Sequence, residues 1–169
     1  MRRRVFVTML LIGFFGVGEA QKGEKSIAAG PLISFPVARD GISYLKIGVG
    51  LEAIGQYNFS KNSALLLKTT LASWRYTKAI IVETKRLTFL TVQGGYKYQF
   101  ASGFFINGLV GYDIDLYDGF KTISFTLGAG KRFILKDEHF IDAGIDLVGG
   151  DADGRINIKA VYSVFQWLK

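Results

Sequence analysis

Residues 103–117 read GFFINGLVGYDIDLY, and the parity of this stretch decides the fold. Phe104, Ile106, Val110, Tyr112, Ile114 and Leu116 share one side of an extended chain, and Asn107, Asp113 and Asp115 share the other. Successive side chains of a strand point to opposite faces, so the pattern is that of a two-faced strand. Turn residues bound it, with Ala101-Ser102-Gly103 before and Asp118-Gly119 after. Glycine at such points supplies positive φ without steric cost.

The same alternation recurs through the chain, giving eight expected strands: Ser26–Val37, Leu45–Phe59, Ser63–Thr77, Arg86–Phe100, Gly103–Tyr117, Phe120–Leu135, His139–Gly149 and Arg155–Trp167. Leu45, Ile47, Val49 and Leu51 oppose Lys46, Glu52 and Gln56 in the second. Leu90, Val92, Tyr96, Tyr98 and Phe100 oppose Thr91, Gln93, Lys97 and Gln99 in the fourth. The sixth sets Ile123, Phe125, Leu127 and Phe133 against Thr122, Ser124, Thr126 and Arg132. In the seventh, Ile141, Ala143, Ile145 and Leu147 oppose Asp142 and Asp146; in the eighth, Ile156, Ile158, Ala160, Tyr162 and Val164 oppose Asn157, Lys159 and Ser163. The third is irregular. With Leu65, Leu67 and Leu71 outward, Leu66, Lys68, Trp74 and Tyr76 fall inside and Arg75 outside, a pattern that a β-bulge would repair.

Alternation also occurs in soluble sandwiches, so three further features carry the distinction. The strands are long beside the five or six residues usual in soluble sheets, and a tilted membrane-crossing strand needs about 9–11. Tyr57, Phe59, Tyr98, Phe100 and Phe104 gather beside the tight turns as one aromatic belt. The polar faces carry full charges in mid-strand: Glu52, Lys68, Lys97, Asp113, Arg132, Asp142, Asp146 and Lys159. Charges of both signs fit a small barrel interior, where they pair.

The start of the chain agrees with export. Met1-Arg2-Arg3-Arg4 is basic, Val5–Val17 is apolar, and Gly18-Glu19-Ala20 places small residues before an expected cut between Ala20 and Gln21. This is the layout of a cleavable signal peptide at residues 1–20, with an apolar run too short for a membrane-spanning helix, and it leaves one domain at 21–169. Cysteine is absent, which excludes disulfides and a lipid-modified cysteine. The net charge of +7 has no nucleic-acid motif behind it and reads as solvated loop lysines or attraction to acidic headgroups.

A spanning sheet must close on itself, because unsatisfied backbone groups are expensive in lipid. The expected fold is therefore all-β, a closed eight-stranded antiparallel up-and-down transmembrane barrel with both chain ends on the periplasmic side. Periplasmic turns are expected at Ser60–Asn62, Ala101–Gly103 and Lys136–Glu138, and outward loops at Ala38–Tyr44, Lys78–Lys85, Asp118–Gly119 and Gly150–Gly154.

The mature chain resembles the small outer-membrane β-barrel proteins, especially the outer membrane protein beta-barrel domain proteins common in Bacteroidetes. The resemblance rests on the signal ending Gly18-Glu19-Ala20-Gln21 and on glycine–aromatic runs such as Gly94-Gly95-Tyr96-Lys97-Tyr98, Gly108-Leu109-Val110-Gly111-Tyr112 and Leu127-Gly128-Ala129-Gly130-Lys131-Arg132-Phe133. It implies outer-membrane residence, contact with outer-membrane lipids and lipopolysaccharide, and recognition of a C-terminal aromatic by the barrel-insertion machinery. Here the chain ends Phe165-Gln166-Trp167-Leu168-Lys169, with the aromatic near the end but not last.

Candidate chemistry is sparse. His139, the single histidine, lies by a periplasmic turn, far from an outer-leaflet lipid-A substrate, and its neighbours match no lipase signature. Asp113 with Asp115, and Asp142 with Asp146, are candidates for a metal or acid–base pair, but internal salt bridges to Lys97, Arg132 and Lys159 explain them better. Gly150-Asp151-Ala152-Asp153-Gly154 has the flavour of a calcium loop without its later glutamate, and reads as a hairpin. Gly48-Val49-Gly50 and Gly128-Ala129-Gly130 precede no helix and are not phosphate loops. Arg39, Lys78, Lys85, Arg86 and Lys121 fall near the outward rim, where phosphates of lipopolysaccharide and plain solvent are equal candidates as partners.

No catalytic, metal or cofactor residue is assigned. The expected function is an integral outer-membrane barrel with a filled, non-conducting interior and a structural or surface-interaction role. The rival readings are a soluble periplasmic lipocalin-like ligand barrel, a lipid-A-modifying enzyme and an open pore.

Overall fold

A computed structural model of the chain describes residues 23–37, 45–76, 86–135, 139–150 and 154–167. Eight strands follow in chain order: β1 Lys25–Val37, β2 Gly48–Asn58, β3 Ser63–Arg75, β4 Arg86–Gln99, β5 Phe104–Asp115, β6 Lys121–Ile134, β7 Phe140–Gly150 and β8 Gly154–Trp167. Each is antiparallel to its chain neighbours. β1 also pairs with β8, so the sheet closes into a barrel. The expected strands are all present, and the largest displacement of a limit is at the start of β2, Leu45 against Gly48. The expected signal segment Met1–Ala20 lies outside the described residues. So do Arg39, Asp40-Gly41, Lys78, Lys85, Lys136–Glu138, Asp151–Asp153 and Leu168-Lys169.

Tight turns gather at one end. Ser60 and Ser63 exchange backbone bonds, and Gly103 donates to Phe100 O at 2.9 Å with φ of 83°. The paired ends Lys25 and Trp167 lie at this same end. At the opposite end the β5–β6 connection closes through Gly119, whose φ is 69° and whose N–H donates to Asp115 O at 2.9 Å.

β3 needs no bulge. Its register to β2 and β4 is continuous through Arg75 on the β4 side, and alternate residues from Ala64 to Trp74 are buried. Leu66 and Trp74 are inside because they belong to apolar clusters there. The irregularities lie elsewhere. One is a register shift between β1 and β8 at Ile27/Ala28. The other precedes β2: continued from Val49↔Ser73, Tyr76 would face Lys46, yet it bridges Leu45. This slip reverses two expectations. Leu45 turns against the inner cluster of Leu32, Ala72 and Trp74, while Lys46 is exposed; Tyr76, opposite Leu45 beyond the end of β3, is also exposed.

Some inward glycines mark close approaches of neighbouring strands. A Cβ on Gly111 would stand 2.0 Å from the Val92 carbonyl oxygen, and one on Gly95 would stand 2.1 Å from that of Gly108. Both contacts are with backbone, so no side chain can yield. Gly111→Ala is expected to force β4 and β5 apart and cost about 1–3 kcal/mol. Denaturant unfolding checks this; an unchanged midpoint would mean that the two strands do not approach as described.

Candidate functional site

The two faces of the sheet differ in chemistry, and the contrast is what any function must use. Outward positions are apolar: Val49, Leu51, Leu67, Val110, Phe125, Leu127, Ile145 and Leu147 are all at least half exposed. Tyr57, Tyr98, Phe100 and Phe104 lie among the exposed residues at the tight-turn end, as expected for a belt. Tyr76, Tyr112, Tyr117 and Phe120 form a second exposed aromatic set toward the other end.

Inward positions hold the ions. Across the barrel's middle, Lys159 Nζ lies 2.8 Å from both Glu52 Oε1 and Asp146 Oδ2. Lys68 Nζ lies 3.1 Å from Asp146 Oδ2 and 4.0 Å from Glu52 Oε2. Lys68 also donates to Thr126 at 3.3 Å, and Thr126 donates to Gln93 at 2.7 Å. This layer draws on β2, β3, β4, β6, β7 and β8, so it crosses the lumen and closes it. Its two lysines meet two acids, which balances the charge that burial would otherwise make costly.

Nearer the tight turns, Arg132 clamps Asp142 with two bonds of 2.7 Å, and Lys97 reaches the same carboxylate at 2.6 Å. The Arg132 guanidinium lies 3.5 Å over Phe140, and Lys97 Nζ lies 4.0 Å over Phe105. Below this layer a cleft of about 270 Å³ opens at the turn end, lined among others by Gln56, Asn58, Lys97, Gln99 and Arg132. Toward the opposite end, Arg155 forms two bonds of 2.8 and 2.9 Å to Asp113. Thr91 donates to the same Asp113, and Arg155 lies over the Trp74 ring.

The candidate residues can now be placed. Asp142 and Asp146 are both inward but serve different ion clusters. Asp113 pairs with Arg155, whereas Asp115 receives the Tyr117 N–H at 2.7 Å and holds the β5–β6 turn. His139 Nδ1 contacts the Ser163 carbonyl at 2.9 Å and its ring stacks on Tyr162. Ser163 is fully buried and its hydroxyl accepts from the Phe140 N–H, so the pair fastens the start of β7 to β8. Gly150 and Gly154 lie in β7 and β8, and both glycine triplets lie in strands. Among the rim cations, Arg86 and Lys121 are exposed. Sequence reasoning missed Arg155 as an interior ion, although it shares the parity of Asn157 and Lys159. It also missed the inward Phe105, Leu109, Phe140 and Val161, which break the rule of a polar inside.

No family model matches the chain, and no curated protein matches it. Solved structures do. The barrel is similar to Ail, the attachment invasion locus protein of Yersinia pestis, in complex with the heparin analogue sucrose octasulfate. The TM-score is 0.65 at 18% identity, covering 87% of this chain and 100% of that one. Ail solved without that complex gives a TM-score of 0.59 at 18% identity, with the same coverage. The Yersinia pestis outer membrane protein Ail in a phospholipid bilayer nanodisc gives 0.53 at 18% identity, covering 84% and 99%. At this identity the likeness is one of fold.

Proposed function

We propose that this chain is an integral outer-membrane barrel with a structural or surface-interaction role, exported by a signal peptide cleaved after Ala20. One observation carries the reading: aliphatic side chains face outward and charged ones are sealed inside. Large apolar surfaces exposed to water are rare on soluble monomers, and a soluble ligand barrel needs the opposite polarity. Strands of 11 to 14 residues, rising ~3.3 Å per residue at a tilt of about 40°, climb roughly 28–35 Å, which covers a ~25 Å apolar band. The crossing ionic layer supports a closed lumen and argues against a pore. The settings of the Ail structures, a bilayer nanodisc and a sulfated heparin analogue, fit a barrel that meets lipid and polysaccharide.

Folding in a membrane gives a direct test. Purified from outer membranes, the unboiled barrel is expected to migrate apart from the boiled chain, giving two bands. A single band from a chain that fractionates without detergent would favour the soluble ligand barrel. Stable ion steps in a planar bilayer, abolished by charge reversal at Lys97 or Arg132, would favour a pore.

A further inference from the structure

The outward side of β3 and β4 changes character over three successive cross-strand pairs. Leu71 lies opposite Leu90, Ser73 opposite Thr88, and Arg75 opposite Arg86. The hydroxyl pair is closed on itself, Thr88 Oγ1 donating to Ser73 Oγ at 3.1 Å. Both arginines are exposed. Each step along the strands is ~7 Å, so charge, hydroxyl and aliphatic surface succeed one another within the length of a lipid headgroup and its neck.

The arginine pair is costly as it stands. Residues directly opposite in an antiparallel pair have Cβ atoms about 4.5–5.5 Å apart, and like charges there repel. A third cation, the exposed Lys46 just before β2, stands beside them: its backbone N–H donates to Arg75 O at 2.9 Å. None of the three has an ion-pair partner among the described residues. The contrast with the interior is plain, because among the described residues Lys68, Lys97, Arg132, Arg155 and Lys159 are each matched to an acid there. The β5–β6 end of the rim is mixed, with exposed Asp118 close in sequence to Lys121.

We propose that Lys46, Arg75 and Arg86 form a binding site for the phosphates of a diphosphorylated glycolipid, lipid A, whose acyl chains lie along Leu71 and Leu90. The proposal rests on the membrane reading above. Guanidinium forks bind phosphate oxygens in pairs, and an anion bridging the two arginines turns their repulsion into attraction. A soluble polyanion would use the cations alone. The hydroxyl and aliphatic pairs directly below them match an amphiphile, and this selects the lipid.

The test uses the full barrel in nanodiscs of phosphatidylcholine, with diphosphorylated lipid A or phosphatidylglycerol as a minor component. Lipid retained on the protein is counted by native mass spectrometry. Lipid A is expected to be enriched over phosphatidylglycerol, with each of Arg75→Gln and Arg86→Gln weakening retention roughly tenfold. The charge-conserving R75K/R86K variant is expected to fall between the native barrel and R75Q/R86Q, because it keeps the charge and loses the paired guanidinium bonds. Equal retention by the native and R75Q/R86Q barrels would overturn the site. Equal enrichment of phosphatidylglycerol would overturn the glycolipid assignment, as would binding of soluble sucrose octasulfate without lipid-A enrichment. Failure to enter any nanodisc overturns the membrane reading and this site with it, whereas insertion without phosphate-dependent enrichment overturns the site alone.

Discussion

Replacing Asp146 with alanine is expected to cost the folded barrel about 3–5 kcal/mol, because it strands buried positive charge. Asp146 Oδ2 accepts from Lys68 at 3.1 Å and from Lys159 at 2.8 Å, and all three side chains are buried. Without it, two ammonium groups share the single carboxylate of Glu52, which is 2.8 Å from Lys159 but 4.0 Å from Lys68. Water cannot easily enter to solvate the excess, since Thr126, Gln93 and Ser124 fill the adjacent space. The compensated variant K68M/D146A keeps the Lys159–Glu52 pair and restores neutrality. It is therefore expected to regain most of the loss, a coupling that a double-mutant cycle in urea would measure. A cost below about 1 kcal/mol for Asp146→Ala would place the quartet in solvent and undo the sealed interior.

Val110→Arg is expected to have an effect of similar size for the opposite reason. Val110 is 61% exposed, near the middle of β5, between Gly94 and Phe125 on the flanking strands. In the hydrocarbon midplane an arginine costs about 2–4 kcal/mol, falling to about 0–1 near the interfaces. Ile123→Arg, close to the rim end of β6, should therefore cost much less. Unfolding of both variants from lipid vesicles gives the depth profile. Were the barrel soluble, both changes would be neutral within about 0.5 kcal/mol, since exposed substitutions usually are. Equal, small effects at the two depths would remove the membrane from the account.

Much of this was legible in the parity of the chain. Asp113, Asp142, Asp146 and Lys159 fall inside because a period of two leaves each no other face once its neighbours are aliphatic. Partner choice was less legible. Asp113 meets Arg155, which stands at the very start of the expected eighth strand and so did not stand out as an interior ion. Leu45 and Lys46 were misplaced because one residue of slip before β2 inverts the faces of these two positions. Trp74 suggested a defect in β3 only on the premise that the inside is polar throughout. Its ring packs with Leu32 and Ala72, with Leu45 and Phe89 against them, so the lumen holds apolar clusters as well as ions. The rim cations Arg75 and Arg86 become informative only through their pairing, and cross-strand register cannot be read from one chain.

The seam between β1 and β8 has a consequence for how the molecule is made. Every other strand pair joins chain neighbours, but Ile33 must meet Ile158, across nearly the whole sequence. Contacts of such separation form slowly, because the entropy of bringing distant segments together is lost before any reward arrives. Until the last strand docks, the two free margins carry unpaired amides that invite pairing with another copy. A chain cut before Gly154 would thus keep seven strands' worth of local pairing and still lack a stable resting state, so assembly should proceed to completion or end in aggregation.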